Sequence, residues 1–256
     1  MKQFLIPDSV AIHDTICLEQ DDYHYLVNVL RVQSGDSFTG IDRKGMQYLL
    51  SVLAIGKKSV TLQVKKNMEF EIAKSPHELV LYQGVPKLPK MDDIVRMTTE
   101  AGISKIVPVI TAYCQGGNSL FTAVSQRTER WKKIAREAVQ QSGRKTIPEI
   151  MPPVVLREIP AVNEKNTAGI FGDEAAGKHC QLHELFDQNS LQYIVCVVGP
   201  EGGFHDDERK MMMEKNIQPV SLGANVLRVE TAAIYLCAVI QFLLLEKNTW
   251  ISRQVK

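Results

Sequence analysis

The chain of 256 residues is long enough for one large or two modest domains with an ample core. Hydrophobic content of 45% and charged content of 23% are ordinary for a globular protein, and a formal charge of +1 excludes a global field drawing it to a polyanion, so such contacts need local patches. The five cysteines (Cys17, Cys114, Cys180, Cys196, Cys237) are odd in number and lack paired spacing, which argues against a disulfide framework and for reduced thiols in a cytoplasmic protein.

The opening "MKQFLIPDSV" has one early lysine, but Pro7 and Asp8 interrupt its apolar run, so no targeting segment is expected. Short alternating segments follow, "SGDSFTGIDRKGMQYLLSV" and "GKKSVTLQVKK", with "SGD" and "RKG" as turns. Val60, Leu62 and Val64 alternate with Thr61 and Gln63, the pattern of a half-buried strand. One helical stretch, "DYHYLVNVLRV" (22–32), interrupts them. A small β-barrel of about seventy residues accounts for this texture.

Near residue 75 the texture changes to alternating strands and helices. "LVLY" (79–82) leads into "KMDDIVRMTTEAGIS", where Ile94, Met97, Thr98 and Ala101 share a helical face. "IVPVIT" (106–111) is the next strand, followed by a long helix in which Trp131, Ile134, Ala135, Ala138 and Val139 form one stripe. Gly143 is placed to end it. The series continues through "AGIF" (168–171), "LHELF" (182–186), "YIVCVV" (193–198), "ERKMMMEKN" (208–216) and "PVSL" (219–222). The last apolar run, "AAIYLCAVIQFLLL" (232–245), is shorter than a membrane span requires and reads as a buried or interface helix. This alternation predicts an α/β domain with a mainly parallel sheet. The expected domains are 1–73 and 74–256.

"YIVCVV" followed by "GPEGGF" and "HDDERKMM" reads as strand, glycine turn and helix, a context in which backbone groups approach a ligand closely. A P-loop would need a lysine here, and the stretch offers Glu201, which would repel a triphosphate. The dinucleotide fingerprint also fails on spacing and lacks its downstream acid. Both losses count against a nucleotide hydrolase. Backbone groups plus a carboxylate suit a ligand with a hydrogen-bonding head and positive charge elsewhere, as in S-adenosylmethionine. The competing reading is a tight turn before a helix with acidic N-terminal residues. A second cluster, "SLGANVLRVETAA" (221–233), repeats the logic, with Gly223 turning the chain and Arg228, Glu230 and Thr231 introducing an apolar helix. Thr231 could cap that helix, but capping leaves Arg228 without a task.

Basic side chains cluster at residues 126–145, where Arg127, Arg130, Lys132, Lys133, Arg136, Arg144 and Lys145 outnumber Glu129 and Glu137. Lys57, Lys58, Lys65 and Lys66 add charge in the barrel. Such patches suit phosphate contact, while a solvated helix face is the plainer reading for any single lysine. Arg136 and Arg144 stand out because they flank Gln141 and Ser142, and Arg31 is the barrel's best candidate for phosphate contact. His179 and His183 have a metal-like spacing without a third ligand cluster near them, so no metal is expected.

The segments "GPEGGF", "LGANVLRVETA", "EAVQQSGRKTIPEI" (137–150), "KMDDIVRMTTEAGISKIVPV" (90–109) and "HYLVNVLRVQSGD" (24–36) together resemble the ribosomal small-subunit RNA methyltransferase E family of the SPOUT superfamily. The resemblance covers nearly the whole chain. It departs at Ala101, where leucine is usual, at Gln140, where glutamate is common, and at "AYCQGG" after "PVIT". It implies a PUA-like N-terminal β-barrel and a C-terminal α/β domain tied in a deep trefoil knot. It also implies a homodimer, with no membrane partner, that transfers a methyl group from S-adenosylmethionine to N3 of a uridine in 16S rRNA. One wall of the cofactor pocket would be Gly199, Pro200, Glu201, Gly202 and Gly203. The other would be Leu222, Gly223, Leu227, Arg228, Thr231 and Ala232, with Glu230 alongside. For the chemistry, Arg228 is the candidate stabiliser of charge on the uracil, and Glu230 a candidate base or an orienter of Arg228. The alternatives are an RNA-binding module of the same fold without activity, or a methyltransferase acting on another RNA.

Overall fold

The computed structural model describes residues 4–6, 10–42, 46–68, 77–116, 119–174, 182 and 191–254. The chain packs as two compact units, Met1–Lys74 with Arg136–Ile147, and Ser75–Ala135 with Pro148–Lys256.

The first unit is a curled five-stranded sheet. Its strands are β1 (Phe4–Leu5), β2 (Thr15–Glu19), β3 (Ser37–Ile41), β4 (Gln47–Ile55) and β5 (Ser59–Met68), in the order β1-β3-β4-β5-β2. The pairings are antiparallel except β1 with β3. Alternation in β5 does what the sequence predicts, because Val60, Leu62 and Val64 are buried against Leu50, Val52, Leu26 and Phe4. Register shifts at Leu49/Leu50 and Val52/Ala54 are bulge-like irregularities, which bend a strand and increase its twist. The predicted helical stretch is α1 (Gln20–His24) running into a π-helical turn, Tyr25–Leu30, which ends at Arg31 in the left-handed conformation with φ 56°.

Arg136–Ile147 also belongs to this unit. Val139 and Ile147 pack with Leu5 and Ile41, and the Arg136 guanidinium donates to the Leu5 carbonyl and to Asp22, each at 3.0 Å.

The second unit carries a parallel sheet. Its strands are β6 (Glu78–Gly84), β7 (Lys105–Ile110), β8 (Glu149–Ile150), β9 (Val154–Val155), β10 (Thr167–Gly172), β11 (Tyr193–Val198) and β12 (Ile217–Val220). Their order is β12-β10-β11-β6-β7-β8, with β9 also pairing with β7. Near-continuous apolar runs such as "YIVCVV" become the fully covered central strands that parallel sheets require. The helices are α2 (Leu88–Glu100), α3 (Leu120–Ser142), α4 (Asp206–Glu214) and α5 (Val229–Gln254). In α3 the predicted stripe of Trp131, Ile134, Ala135, Ala138 and Val139 is buried, and the helix stops before Gly143, whose φ is 73°.

Two expectations shift, and a third falls outside the described residues. The strand expected over 219–222 ends at Val220, because the Ser221 hydroxyl exchanges hydrogen bonds with the Gly223 backbone and turns the chain away. The helix expected at 182–186 lies outside the described residues except Leu182. The final helix is longer than its apolar core suggested, and Val229–Glu246 has the length and composition of a membrane span. Its buried residues Ala233, Leu236, Cys237, Ile240 and Leu244 form a helical stripe, and the helix packs on α2, β6 and β11 as a core helix does.

Candidate functional site

Register places the site. Val198 at the end of β11 pairs with Gln83 of β6, and Gly172 at the end of β10 pairs with Val220 of β12. The segments leaving β10, β11 and β12 therefore emerge together at the carboxyl edge of the sheet, where open α/β sheets bind ligands.

The first segment is Gly199–Phe204. Its turn closes through a hydrogen bond from the Gly203 N–H to the Pro200 carbonyl at 2.9 Å. Gly203 sits at φ 68° and Gly223, in the second segment, at φ 124°, conformations that side chains rarely adopt. A Cβ on either would meet nothing within 4 Å, so both backbones face open space. The helix after the first segment explains its acids. The His205 ring accepts from the Asp207 N–H, and Glu208 accepts from the His205 N–H at 2.9 Å, forming a capping box. Asp206, Asp207 and Glu208 sit in the first turn, where the helix dipole favours negative charge.

The cleft between the segments has a volume of about 130 Å³. Of the residues proposed from sequence, Gly199, Pro200, Glu201, Gly203, Leu222, Gly223, Leu227 and Ala232 line it. Gly202 instead faces the exposed Tyr113 ring, which also meets His205 edge-on at 6.1 Å. Arg228 and Thr231 are solvent-exposed beside the cleft, and the Arg228 carbonyl accepts from the Ala232 N–H in the first turn of α5. Glu230 turns toward Lys90, 3.5 Å away.

Several lining residues escaped sequence reasoning. Gly172, Asp173 and Glu174 come from the end of β10, and Asn225 and Val226 from the second segment. Asp173 is buried and bonded to Arg209 at 3.3 Å. Lys90, at the start of α2, reaches Glu201 at 3.1 Å. Burial alone would raise the Glu201 carboxyl, but its own backbone N–H, the Lys90 ammonium and the Lys87 N–H outweigh that and hold it below its usual value. The same hydrogen bond to Glu201 raises Lys90. Buried Gln83 braces the junction by donating to the carbonyls of Gly84, Val198 and Gly199. Local sequence carries no signal for these partners, since all but the Gly84 carbonyl pair across long separations.

The candidate RNA contacts fall in the first unit. Arg31 and Gln141 are exposed. Arg136 is engaged with Asp22 and Leu5, and burial pushes Arg144 down to about 10, still protonated at neutral pH. Arg130 and Lys132 are ion-paired with Asp92 and Glu129. Among the described residues there is no cluster of three or more potential metal ligands, and His179 and His183 lie outside them.

A curled N-terminal sheet and a parallel α/β unit with glycine segments at its carboxyl edge are the two parts of an RNA methyltransferase architecture. Residues 73–241 match the RNA methyltransferase domain model and residues 18–65 the RNA methyltransferase PUA domain model. The ribosomal RNA small subunit methyltransferase E of Rickettsia conorii is 31% identical over 93% of this chain and 94% of its own length. That of Aquifex aeolicus is 32% identical over 83% and 88%. The crystal structure of the Neisseria gonorrhoeae enzyme bound to S-adenosyl methionine superposes with a TM-score of 0.83, at 27% identity, covering 95% of this chain and 98% of that one. The chain belongs to the ribosomal RNA small subunit methyltransferase E family.

Proposed function

We propose that the protein transfers a methyl group from S-adenosylmethionine to N3 of a uridine in 16S rRNA of the small ribosomal subunit, in the cytoplasm. One observation carries this reading: two glycine segments, each turned by a left-handed glycine, flank a cleft at the carboxyl edge of a parallel sheet. The residues fit the cofactor. Gly203 and Gly223 line the cleft in left-handed conformations that side chains rarely adopt, and the carboxylates of Asp173, Glu174 and Glu201 outnumber the Arg209 cation in the lining, which suits a ligand bearing sulfonium and ammonium groups. When bound, S-adenosylmethionine supplies an electrophilic methyl group.

The protein's share of the chemistry is alignment and charge control. Gly199, Pro200, Glu201, Gly202 and Gly203 form the first wall in this proposal, and Leu222, Gly223, Leu227, Arg228, Thr231 and Ala232 the second. Uridine N3 gives up its proton to Glu230 or to water, and the exposed Arg228 side chain beside the cleft is assigned to stabilise the resulting negative charge on the ring. Glu230 keeps its candidacy as base or orienter of Arg228, with its carboxylate 3.5 Å from the Lys90 ammonium. Arg31, Arg136, Gln141 and Arg144 are assigned to RNA within residues 1–73 and the adjoining end of α3, and residues 74–256 to the methyltransferase domain. Tyr235, Phe242 and Leu245, exposed along one side of α5, support a homodimer through that helix. The return of α5 across β6 and β11 after edge strand β12 supports the trefoil knot.

Incubation with methyl-labelled S-adenosylmethionine and small ribosomal subunits, followed by mapping of the modified nucleotide, tests the reading. Label at uridine N3 in 16S rRNA supports it. Bound cofactor without labelled RNA would favour the non-catalytic module, and label in a different RNA would redirect the substrate assignment.

A further inference from the structure

The cleft's two walls follow different strands, yet a single side chain reaches both. The Lys90 ammonium lies 3.1 Å from a Glu201 oxygen in the first wall and 3.5 Å from Glu230 Oε2 at the root of the second. Glu201 also accepts from the Lys87 N–H at 3.3 Å, which fixes its carboxylate against the start of α2. Glu230 Oε2 is buried and has no hydrogen-bond partner among the described residues, so Lys90 is the charge that balances it. Without Lys90, two carboxylates would face the same small volume unopposed, and like charges at such range repel. Helix α2 is itself well seated, with Met91, Ile94 and Val95 fully buried beside α5. The ammonium is therefore held from a fixed platform.

We propose that Lys90 is a positioning residue that ties the two cofactor walls together and sets the width of the cleft. This rests on the cofactor reading above. Neither partner pair alone would do it, because each carboxylate belongs to one wall and the shared cation couples them. The role requires a positive charge of adequate reach and not lysine as such, so arginine should serve and a neutral side chain of similar length should not.

The test uses the full-length protein and S-adenosylmethionine alone, titrated by calorimetry, with the melting temperature measured in parallel. Lys90→Met is expected to weaken cofactor binding about tenfold, in the range typical of coupling between sites, and to raise KM for the cofactor more than it lowers kcat. Lys90→Arg is expected to restore most of the affinity. In a Glu201→Gln background, Lys90→Met should cost distinctly less than in the parent, since half of the tie is already gone. Native affinity in folded Lys90→Met would overturn the proposal, as would equal losses in both backgrounds. If the parent protein itself binds no S-adenosylmethionine, the cofactor reading fails and the proposal falls with it. If the parent binds and Lys90→Met binds equally well, only the proposal falls.

Discussion

The segment after β11 is closed by its own Gly203-to-Pro200 hydrogen bond and anchored from outside by Lys87 and Lys90, while Gln83 braces its first carbonyl. In the segment after β12, Ser221 and Gly223 bond to each other, but Ala224, Asn225 and Val226 stand in solvent, Val226 at 77% exposure. Both segments end in the first turn of a helix, so the contrast does not come from topology. It comes from neighbours. The first leaves a central strand and is surrounded by β6 and α2, whereas the second leaves the edge strand β12. The comparison teaches that one wall is built before a ligand arrives and the other has room to settle onto it.

The largest expected effect is on turnover. Arg228→Ala should lower kcat by about 100-fold, the scale for losing one stabiliser of developing charge, with an unchanged melting temperature because the side chain is exposed. Unchanged turnover with reduced melting temperature would move Arg228 from chemistry to structure. Next comes the built wall. A Cβ at Gly84 would lie 2.6 Å from Pro200 Cδ and 2.8 Å from its backbone nitrogen. Gly84→Ala should therefore destabilise by about 2 kcal/mol, lowering the melting temperature by about 4–8 °C, measurable by calorimetry. The open wall should respond in the opposite way. Val226→Ser should shift stability by less than about 0.5 kcal/mol yet weaken S-adenosylmethionine binding about fivefold through lost apolar contact, and equal losses in both would erase the distinction between the walls.

The smallest effect is on pH dependence. Glu201 is held below the ordinary value of 4.5, so its contribution is complete above that value and disappears as pH falls through the folded-state pKa. Lys90 is raised above 10.5, so its contribution is complete below that value and fades as pH rises through its own folded-state pKa. Melting curves of the parent and Glu201→Gln should differ by less than about 1 kcal/mol near neutrality and converge in acid.

Local patterns announced most of the fold. Val60, Leu62 and Val64, the stripe from Trp131 to Val139, and "YIVCVV" each carry their burial in their spacing, and each is buried as spaced. The glycines of the cleft were legible for a related reason, since left-handed turns restrict which residues can occupy them. What stayed hidden depends on tertiary neighbours. Asp173 follows an apolar strand and gives no local sign that it lines the cleft or pairs with Arg209. Lys90 is one lysine among many until the fold sets Glu201 and Glu230 beside it. Arg136 reads as part of a basic face, and the structure joins its guanidinium to Asp22, whose carboxyl is raised by burial in spite of that partner.

Helix α5 lies later in the chain than all twelve strands of the described residues, yet it covers β6 and β11 at the heart of the second sheet and donates from Gln241 to the Gly102 carbonyl beyond α2. A nascent chain emerging from the ribosome can pair those strands and cover one face with Phe204 and Met212, but the face under this helix stays open until the helix has been made. The unit is therefore finished late, and a chain released early would present one bare face of its sheet to whatever quality-control machinery it meets.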